Sequence, residues 1–366
     1  MSSEPDTAVE VIDLSKSYGR VAAVKSVSFT IESGRYFALL GPSGSGKTTL
    51  LRLIGGFIKP TEGRVLLHGR DVTGLPPNHR STSMVFQSYA LFPHMSVEGN
   101  VAYGLKLRKL PKHEIRDRIE SMLELVGLAG YNERMPHELS GGQQQRVQLA
   151  RSLVLESDIL LLDEPLASLD AKLIKDMCLE LKHIQEKVGI TFIHVTHNQE
   201  EAMTVADRIA IIADGELVEE GAPRDIYERP VRRFTAGFIG QNNLLDGRAI
   251  DVDGDRLTVD LGFAKIEVDA AGSPVTVGAD VSVSVRSELV RFAGPGGDVE
   301  GTMQTIPAIY VEAIYLGLTT SHMVRLPNGA EIAVRHISDG RPGARFEPGA
   351  HVRVGWNIAD ARLHTG

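Results

Sequence analysis

The stretch Tyr36–Ile54, YFALLGPSGSGKTTLLRLI, decides the fold of the amino-terminal part of this chain. Within it, Gly41–Thr48 fits the phosphate-loop pattern G-x-x-x-x-G-K-[ST]. Tyr36–Leu40 is a short apolar run that reads as a buried strand, and Leu50–Ile54 reads as the start of a helix. Gly41, Gly44 and Gly46 free the backbone to turn successive N–H groups inward onto phosphate oxygens. Pro42, Ser43 and Ser45 fill the rest of the loop, and Thr49 follows it into the helix, whose N-terminus adds partial positive charge. Lys47 is expected to bridge the β- and γ-phosphates and Thr48 to ligate Mg²⁺. A chance Gly/Ser-rich loop would also read this way, but the strand before it and the helix after it favour the phosphate loop.

A second apolar strand ends in acid: Ile159–Pro165 reads ILLLDEP. Asp163 suits a Mg²⁺-holding carboxylate, and Glu164 beside it can orient or deprotonate an attacking water. Two acids at a strand end are more often a solvated turn; the phosphate loop changes that balance.

Further apolar runs recur at Met84–Phe86, Phe192–Val195 and Ile209–Ile212, separated by helical stretches. This predicts a mostly parallel sheet covered on both faces. Val9–Leu14, Val24–Ile31 and Arg64–Leu67 alternate like strands. Residues 88–152 read as a helical insertion, with Ile115, Ile119, Met122, Leu123 and Leu125 on one face. Near Gln241 the pattern changes to short alternating strands with Gly, Pro and Asp turns, and Pro327–Asn328–Gly329 is a hairpin signal. That predicts an all-β, barrel-like second domain.

Composition narrows the class. The chain has 366 residues, 42% of them hydrophobic, enough for two or three ordinary cores. No apolar run reaches the length of about 18 residues that a spanning helix needs. The opening MSSEPDTAVEVIDLSKSYG lacks an apolar core, so no secretory signal is expected. The one cysteine, Cys178, excludes an internal disulfide framework and suits a reducing compartment. A formal net charge of −8 argues against a general nucleic-acid binder.

With these landmarks in place, LSGGQQQR at Leu139–Arg146 is the most specific motif. Residues 7–240 resemble the nucleotide-binding subunit of an ATP-binding cassette (ABC) transporter, with the superfamily's landmarks in its order. The resemblance implies an α/β fold: a RecA-like phosphate-loop core with a helical insertion and an antiparallel β part. Residues 241–366 resemble the OB-like TOBE regulatory domain of importer ATPases, through Phe238–Gly240, Tyr315–Gly317 and Arg325–Gly329. Tyr18 matches the aromatic that stacks on adenine, and Gln87 the glutamine that senses Mg²⁺ and water. Asp170, in Ser168–Leu169–Asp170, matches the loop that crosses to a partner subunit, and His197 the histidine that contacts the γ-phosphate. Each residue alone has a plain structural alternative; their order is what argues for function.

Ser140 can cap the helix that follows, and Gly141 and Gly142 let its free N–H groups approach a phosphate, with Gln143 in the same turn. The resemblance implies that this site faces the phosphate loop of a second copy, so that ATP and Mg²⁺ are held in a homodimer. It also implies permease subunits as partners, an external substrate-binding protein indirectly, and a peripheral place on the cytoplasmic face of the membrane. Gln87–His94 and the segment after it resemble a groove for a short permease helix, although Tyr89, Leu91 and Phe92 could instead be core. Two positions depart from the pattern: Asn198 and Gly99 stand where an acid is common.

The likeness of Met84–Leu105, Phe238–Asn243 and the β domain is strongest to polyamine (spermidine/putrescine) importers. Ferric iron, phosphonates, other amines and sugars are the alternatives. From another class, a soluble ABC protein of DNA repair or translation is disfavoured by the single cassette and the absence of a heptad run. A nucleic-acid-binding barrel is disfavoured by the acidic balance and 5% aromatics.

Overall fold

The computed structural model describes residues 6–87, 91–167, 169–270, 275–293, 303–338 and 346–365. Two compact units divide the chain, Met1–Pro223 and Arg224–Gly366.

The first unit runs β1 (Thr7–Tyr18), β2 (Val21–Glu32), β3 (Tyr36–Leu40), α1 (Lys47–Ile54), β4 (Glu62–Leu67), β5 (Arg70–Asp71) and β6 (Thr82–Val85). It continues through α2 (Val97–Leu107), α3 (Lys112–Leu125), α4 (Gly141–Leu153), β7 (Ile159–Asp163) and α5 (Ala171–Val188). β8 (Thr191–Thr196), α6 (Gln199–Val205), β9 (Arg208–Ala213) and β10 (Glu216–Gly221) complete it. Among the described residues the strands form a six-stranded sheet, β10-β9-β3-β8-β7-β6, and a four-stranded sheet, β2-β1-β4-β5. The five strands from β9 to β6 are parallel, and β10 returns antiparallel on β9.

Every residue of β3, β7 and β8 is buried, which is why they read as mostly apolar runs rather than alternating ones, with His194 a buried polar exception inside β8. Successive side chains face opposite sides. Leu160 and Leu162 join a core with α2, α3, α4 and α5, whereas Ile159 and Leu161 join one with α1 and the antiparallel sheet. Ile115, Ile119 and Leu123 of α3 enter the first of these cores.

α1 ends against Arg80, a buried guanidinium that donates to Leu53 O and Ile54 O at 2.9 and 2.6 Å. It therefore satisfies carbonyls that the last turn of a helix leaves unpaired. Gly56, in the left-handed region at φ 76°, allows this: a Cβ there would sit 2.5 Å from Arg80 Nε.

The second unit holds β11 (Asn242–Asp253), β12 (Arg256–Asp260), β13 (Lys265–Asp269), β14 (Asp280–Arg286) and β15 (Arg291–Phe292). After these come β16 (Met303–Tyr315), β17 (Thr319–Arg325), β18 (Glu331–Ile337), β19 (His351–Asn357) and β20 (Ala361–His364). They form two five-stranded sheets among the described residues, β13-β12-β11-β14-β20 and β15-β19-β16-β17-β18. One core, including Leu245, Val283, Tyr310, Val354 and Trp356, is shared by both. The Pro327–Asn328–Gly329 turn pairs Arg325 with Glu331, and Gly329 supplies the positive φ of 88°. The helix Arg233–Phe238 belongs to this unit: Asn242 Nδ2 donates to Ala236 O at 3.0 Å, and Arg233 pairs with Asp246 at 3.1 Å. The unit thus begins ahead of the composition change at Gln241.

Candidate active site

Parallel strands deliver their ends to one edge of a sheet, and ligands gather there. β3, β8, β7 and β6 are neighbours in this order, and each is followed by a candidate residue: the loop Gly41–Gly46 after β3, His197 after β8, Glu164 after Asp163 at the end of β7, and Gln87 after β6.

The phosphate loop is tightly built. A Cβ on Gly41 would lie 2.0 Å from Ile212 O, and one on Gly46 2.2 Å from Ala23 O, so only glycine fits at either position. Gly44 and Gly46 take φ of 79° and 100°. Ser43 and Gly44 are exposed at the crest, while Ser45 is buried. The Lys47 side chain folds back into the loop, where Nζ donates to Gly41 O at 2.8 Å and Pro42 O at 2.7 Å. Burial lowers its pKa, opposed by the nearby Glu164 and Asp163 carboxylates. α1 has no side-chain cap and no acid in its first turn, so its N-terminal N–H groups are left for an anion. This donor set fits a polyphosphate.

Thr48 Oγ1 donates to Asp163 Oδ1 at 2.8 Å, and Arg52 reaches Asp163 Oδ2 at 3.7 Å. Burial raises the Asp163 carboxyl above its ordinary value, and the Thr48 bond and Arg52 only partly offset that. A hydroxyl beside a buried carboxylate that lacks a full counter-charge fits a hard divalent cation with phosphate as co-ligand. Arg52 had no recognisable sequence signal; it is one more charged residue on a helix that also buries four apolar side chains.

Glu164 is the meeting point of the remaining strand ends. Gln87 Nε2 donates to its Oε2 at 3.2 Å, and His197 Nδ1 lies 3.2 Å from its Oε1. Its backbone sits in the left-handed region at φ 45°, held by its own N–H to Val195 O at 3.0 Å. A non-glycine residue in that region is strained, and such strain concentrates at functional sites. Here it turns the carboxylate away from the strand and between the Gln87 and His197 side chains.

The other expected residues lie apart from this cluster. Ser140 caps α4 through a reciprocal box: Gln143 N donates to Ser140 Oγ at 3.4 Å, and Ser140 N donates to Gln143 Oε1 at 3.0 Å. Gly142 packs toward Leu173, where a Cβ would lie 3.3 Å from Cδ2, and Gly141 is half-buried at the helix start. Among the described residues, no hydrogen bond or ion pair joins Ser140–Gln143 to Gly41–Thr49. Asp170 Oδ1 accepts from Leu173 N at 3.0 Å, capping α5; its neighbour Ser168 lies outside the described residues. Tyr18 is 51% exposed, with Lys16 Nζ 5.2 Å from its ring centre. In the expected groove, Leu91 packs on the helical core, while the Phe92 ring lies 4.7 Å from that of Tyr103, which is 39% exposed. Tyr89 lies outside the described residues. Among the described residues no helix is long and apolar enough to cross a membrane.

Comparison with known proteins is consistent across the chain. The ABC transporter family matches residues 24–167, and the TOBE domain family matches residues 283–363. The spermidine/putrescine import ATP-binding protein PotA of Rubrobacter xylanophilus is 46% identical over 352 residues, covering 96% of this chain and 92% of that protein. The protein of the same name from Roseobacter denitrificans is 46% identical, covering 99% of each. Among solved structures, cbiO1 of Clostridium perfringens, described as part of the ABC transporter complex cbiONQ, superposes with a TM-score of 0.57 at 32% identity. That match spans 60% of this chain and 90% of that one.

Proposed function

Because the chain belongs to the family of ABC transporter ATP-binding proteins, we propose that it powers uptake of spermidine and putrescine through separate permease subunits. The observation that carries the reading is the convergence of Thr48–Asp163 and Gln87–Glu164–His197 at the ends of four neighbouring strands. The full-length likeness to proteins named for polyamine import supports the cargo.

In this reading Lys47 and the N–H groups of Gly41–Thr49 bind the triphosphate, and Tyr18 stacks on adenine. Bound Mg²⁺, held through Thr48 and Asp163, supplies charge neutralisation at the phosphates. Glu164 takes the proton of the attacking water, Gln87 orients that water, and His197 contacts the γ-phosphate. Gln87 and His197 both hold the Glu164 carboxylate in place before substrate arrives, which lowers the reorganisation needed at reaction.

The box that joins Ser140 and Gln143 does not use the N–H groups of Gly141 and Gly142, which in this reading meet the γ-phosphate of ATP on a second copy, with Asp170 crossing nearby. Two copies then enclose two nucleotides, and closure is passed to the permeases through the face containing Phe92 and Tyr103. This puts the chain at the cytoplasmic surface of the membrane, with an external binding protein selecting the cargo.

Labelled spermidine and putrescine uptake in a strain lacking the gene tests the cargo. Uptake should fall and return with the intact gene. Unchanged polyamine uptake, alongside lost uptake of iron or a sugar, would overturn the cargo and spare the importer.

A further inference from the structure

Beneath the candidate site lies a buried polar chain that the reaction outlined above does not use. His194 on β8 and Glu201 on α6 are 0% and 4% exposed. His194 Nδ1 is 3.0 Å from the Tyr36 hydroxyl, and its Nε2 is 3.6 Å from Glu201 Oε2. The same Glu201 oxygen accepts from Thr196 Oγ1 at 2.7 Å. Thr196 Oγ1 in turn accepts from Asn198 N at 2.9 Å, and Asn198 Oδ1 accepts from Glu200 N at 2.9 Å and Glu201 N at 3.4 Å. These bonds close a ring over Thr196–Glu201. His197 stands at its apex, with a side chain 53% exposed and Nδ1 3.2 Å from Glu164.

A carboxylate removed from water is costly unless it is paired, so it persists where its bonds are all made. Burial pushes the Glu201 carboxyl up, but the nearby His194 ring and the hydrogen bond from Thr196 outweigh it and hold the group below its ordinary value. At 3.6 Å, His194 Nε2 is close to the carboxylate without a hydrogen bond to it. Glu201 is anchored by the hydrogen bond from Thr196 on β8, with His194, itself held by Tyr36 on β3, beside it.

We propose that Glu201 is a positioning residue for ATP hydrolysis: through Thr196 and Asn198 it fixes the peptides on both sides of His197 and sets the imidazole against Glu164. The proposal rests on His197 acting in turnover. It assigns a role to two residues, Thr196 and Glu201, that touch neither nucleotide nor water in the site described above. Asn198 enters the ring twice: its side-chain oxygen caps α6 and its backbone N–H donates to Thr196.

Glu201→Ala is the direct test, but it strands buried His194 and can unfold the chain. Thr196→Val and Thr196→Ser in the full chain therefore carry the decision, read as steady-state ATP hydrolysis beside His197→Ala and the double variant Thr196→Val/His197→Ala. Valine keeps the shape and removes the hydroxyl; serine keeps the hydroxyl. Thr196→Val should lower kcat by roughly 10- to 100-fold with KM for ATP unchanged, the scale of a small misplacement of a catalytic group. Thr196→Ser should stay within about twofold of wild type. With His197 already removed, Thr196→Val should cost nothing further. Wild-type kcat in Thr196→Val, an equal loss in Thr196→Ser, or an undiminished loss in the His197→Ala background overturns the proposal. Wild-type kcat in His197→Ala would instead remove the reading of His197, and the proposal with it.

Discussion

The Thr48 hydroxyl donates a 2.8 Å hydrogen bond to Asp163 Oδ1, joining the first turn of α1 to the end of β7 at the proposed Mg²⁺ site. Burial raises the Asp163 carboxyl above its ordinary value. The folded state therefore binds this proton more tightly than the unfolded chain does, and stability falls as pH rises from the unfolded value through the folded one. At pH 7 the ionised group works against folding. Asp163→Asn should accordingly raise the melting temperature of the nucleotide-free chain at pH 7 and abolish Mg²⁺-dependent turnover. A lowered melting temperature would show that the charge on Asp163 stabilises the fold.

Glu164→Gln should retain ATP binding and lose turnover by about 10²–10⁴-fold, the usual cost of losing a general base. The amide still fits between Gln87 and His197, so geometry is preserved while basicity is lost. Turnover within about a factor of two of wild type, far short of that cost, would take Glu164 out of the role.

Tyr103 presents an exposed ring against Phe92 on the helical insertion. A charge placed in an apolar contact without a partner costs several kcal/mol. Tyr103→Asp should therefore cut polyamine uptake in cells by roughly tenfold or more, since about 1.4 kcal/mol already makes a tenfold difference. Full uptake by this variant would place the permease contact elsewhere.

In the second unit, His336 stacks on Phe292 and His322 meets the same ring edge-on, with ring centres 6.0 and 5.4 Å away, and 5.6 Å from each other. Burial lowers the pKa of both from 6.5, and Arg291 and His322 push His336 further down. Both are neutral in the fold, so the unfolded chain takes up protons first as pH falls. Stability contributed here is complete above pH 6.5 and declines as pH drops toward the lowered folded values. His336→Phe, which keeps the stack on Phe292, should flatten the fall in melting temperature on acidification of this unit. An unchanged slope would rule these histidines out as its source.

Much of the first unit was legible because its chemistry sits beside fully buried strands. β3 is apolar throughout, β7 is apolar up to Asp163, and β8 is apolar at Phe192, Ile193 and Val195 around the buried His194; the phosphate loop follows β3, and Asp163–Glu164 close β7. The second unit was less legible. β11 is interrupted by Asp246, Gly247 and Arg248, and β16 contains Pro307, which ordinarily argues against a strand. The structure accommodates Pro307 because it pairs with Arg353 on β19, while pairing with β17 begins only at Ile309. Arg52 and Glu201 had no pattern to reveal them: each is one of two charged residues on a short helix, and only the fold brings it beside Asp163 or Thr196. The separation of Ser140–Gln143 from the phosphate loop is likewise a fact of three dimensions.

That separation leads to the most direct measurement. If ATP is held between the phosphate loop of one copy and the Leu139–Arg146 motif of its partner, Lys47→Ala spoils one half of each site and Ser140→Arg the other. Each variant alone should be inactive. Mixed in equal amounts, they form heterodimers in which one site has both of its halves intact, and ATP hydrolysis should partly return. Heterodimers that demonstrably form yet show no recovery would contradict a shared site and leave each chain to hydrolyse ATP alone.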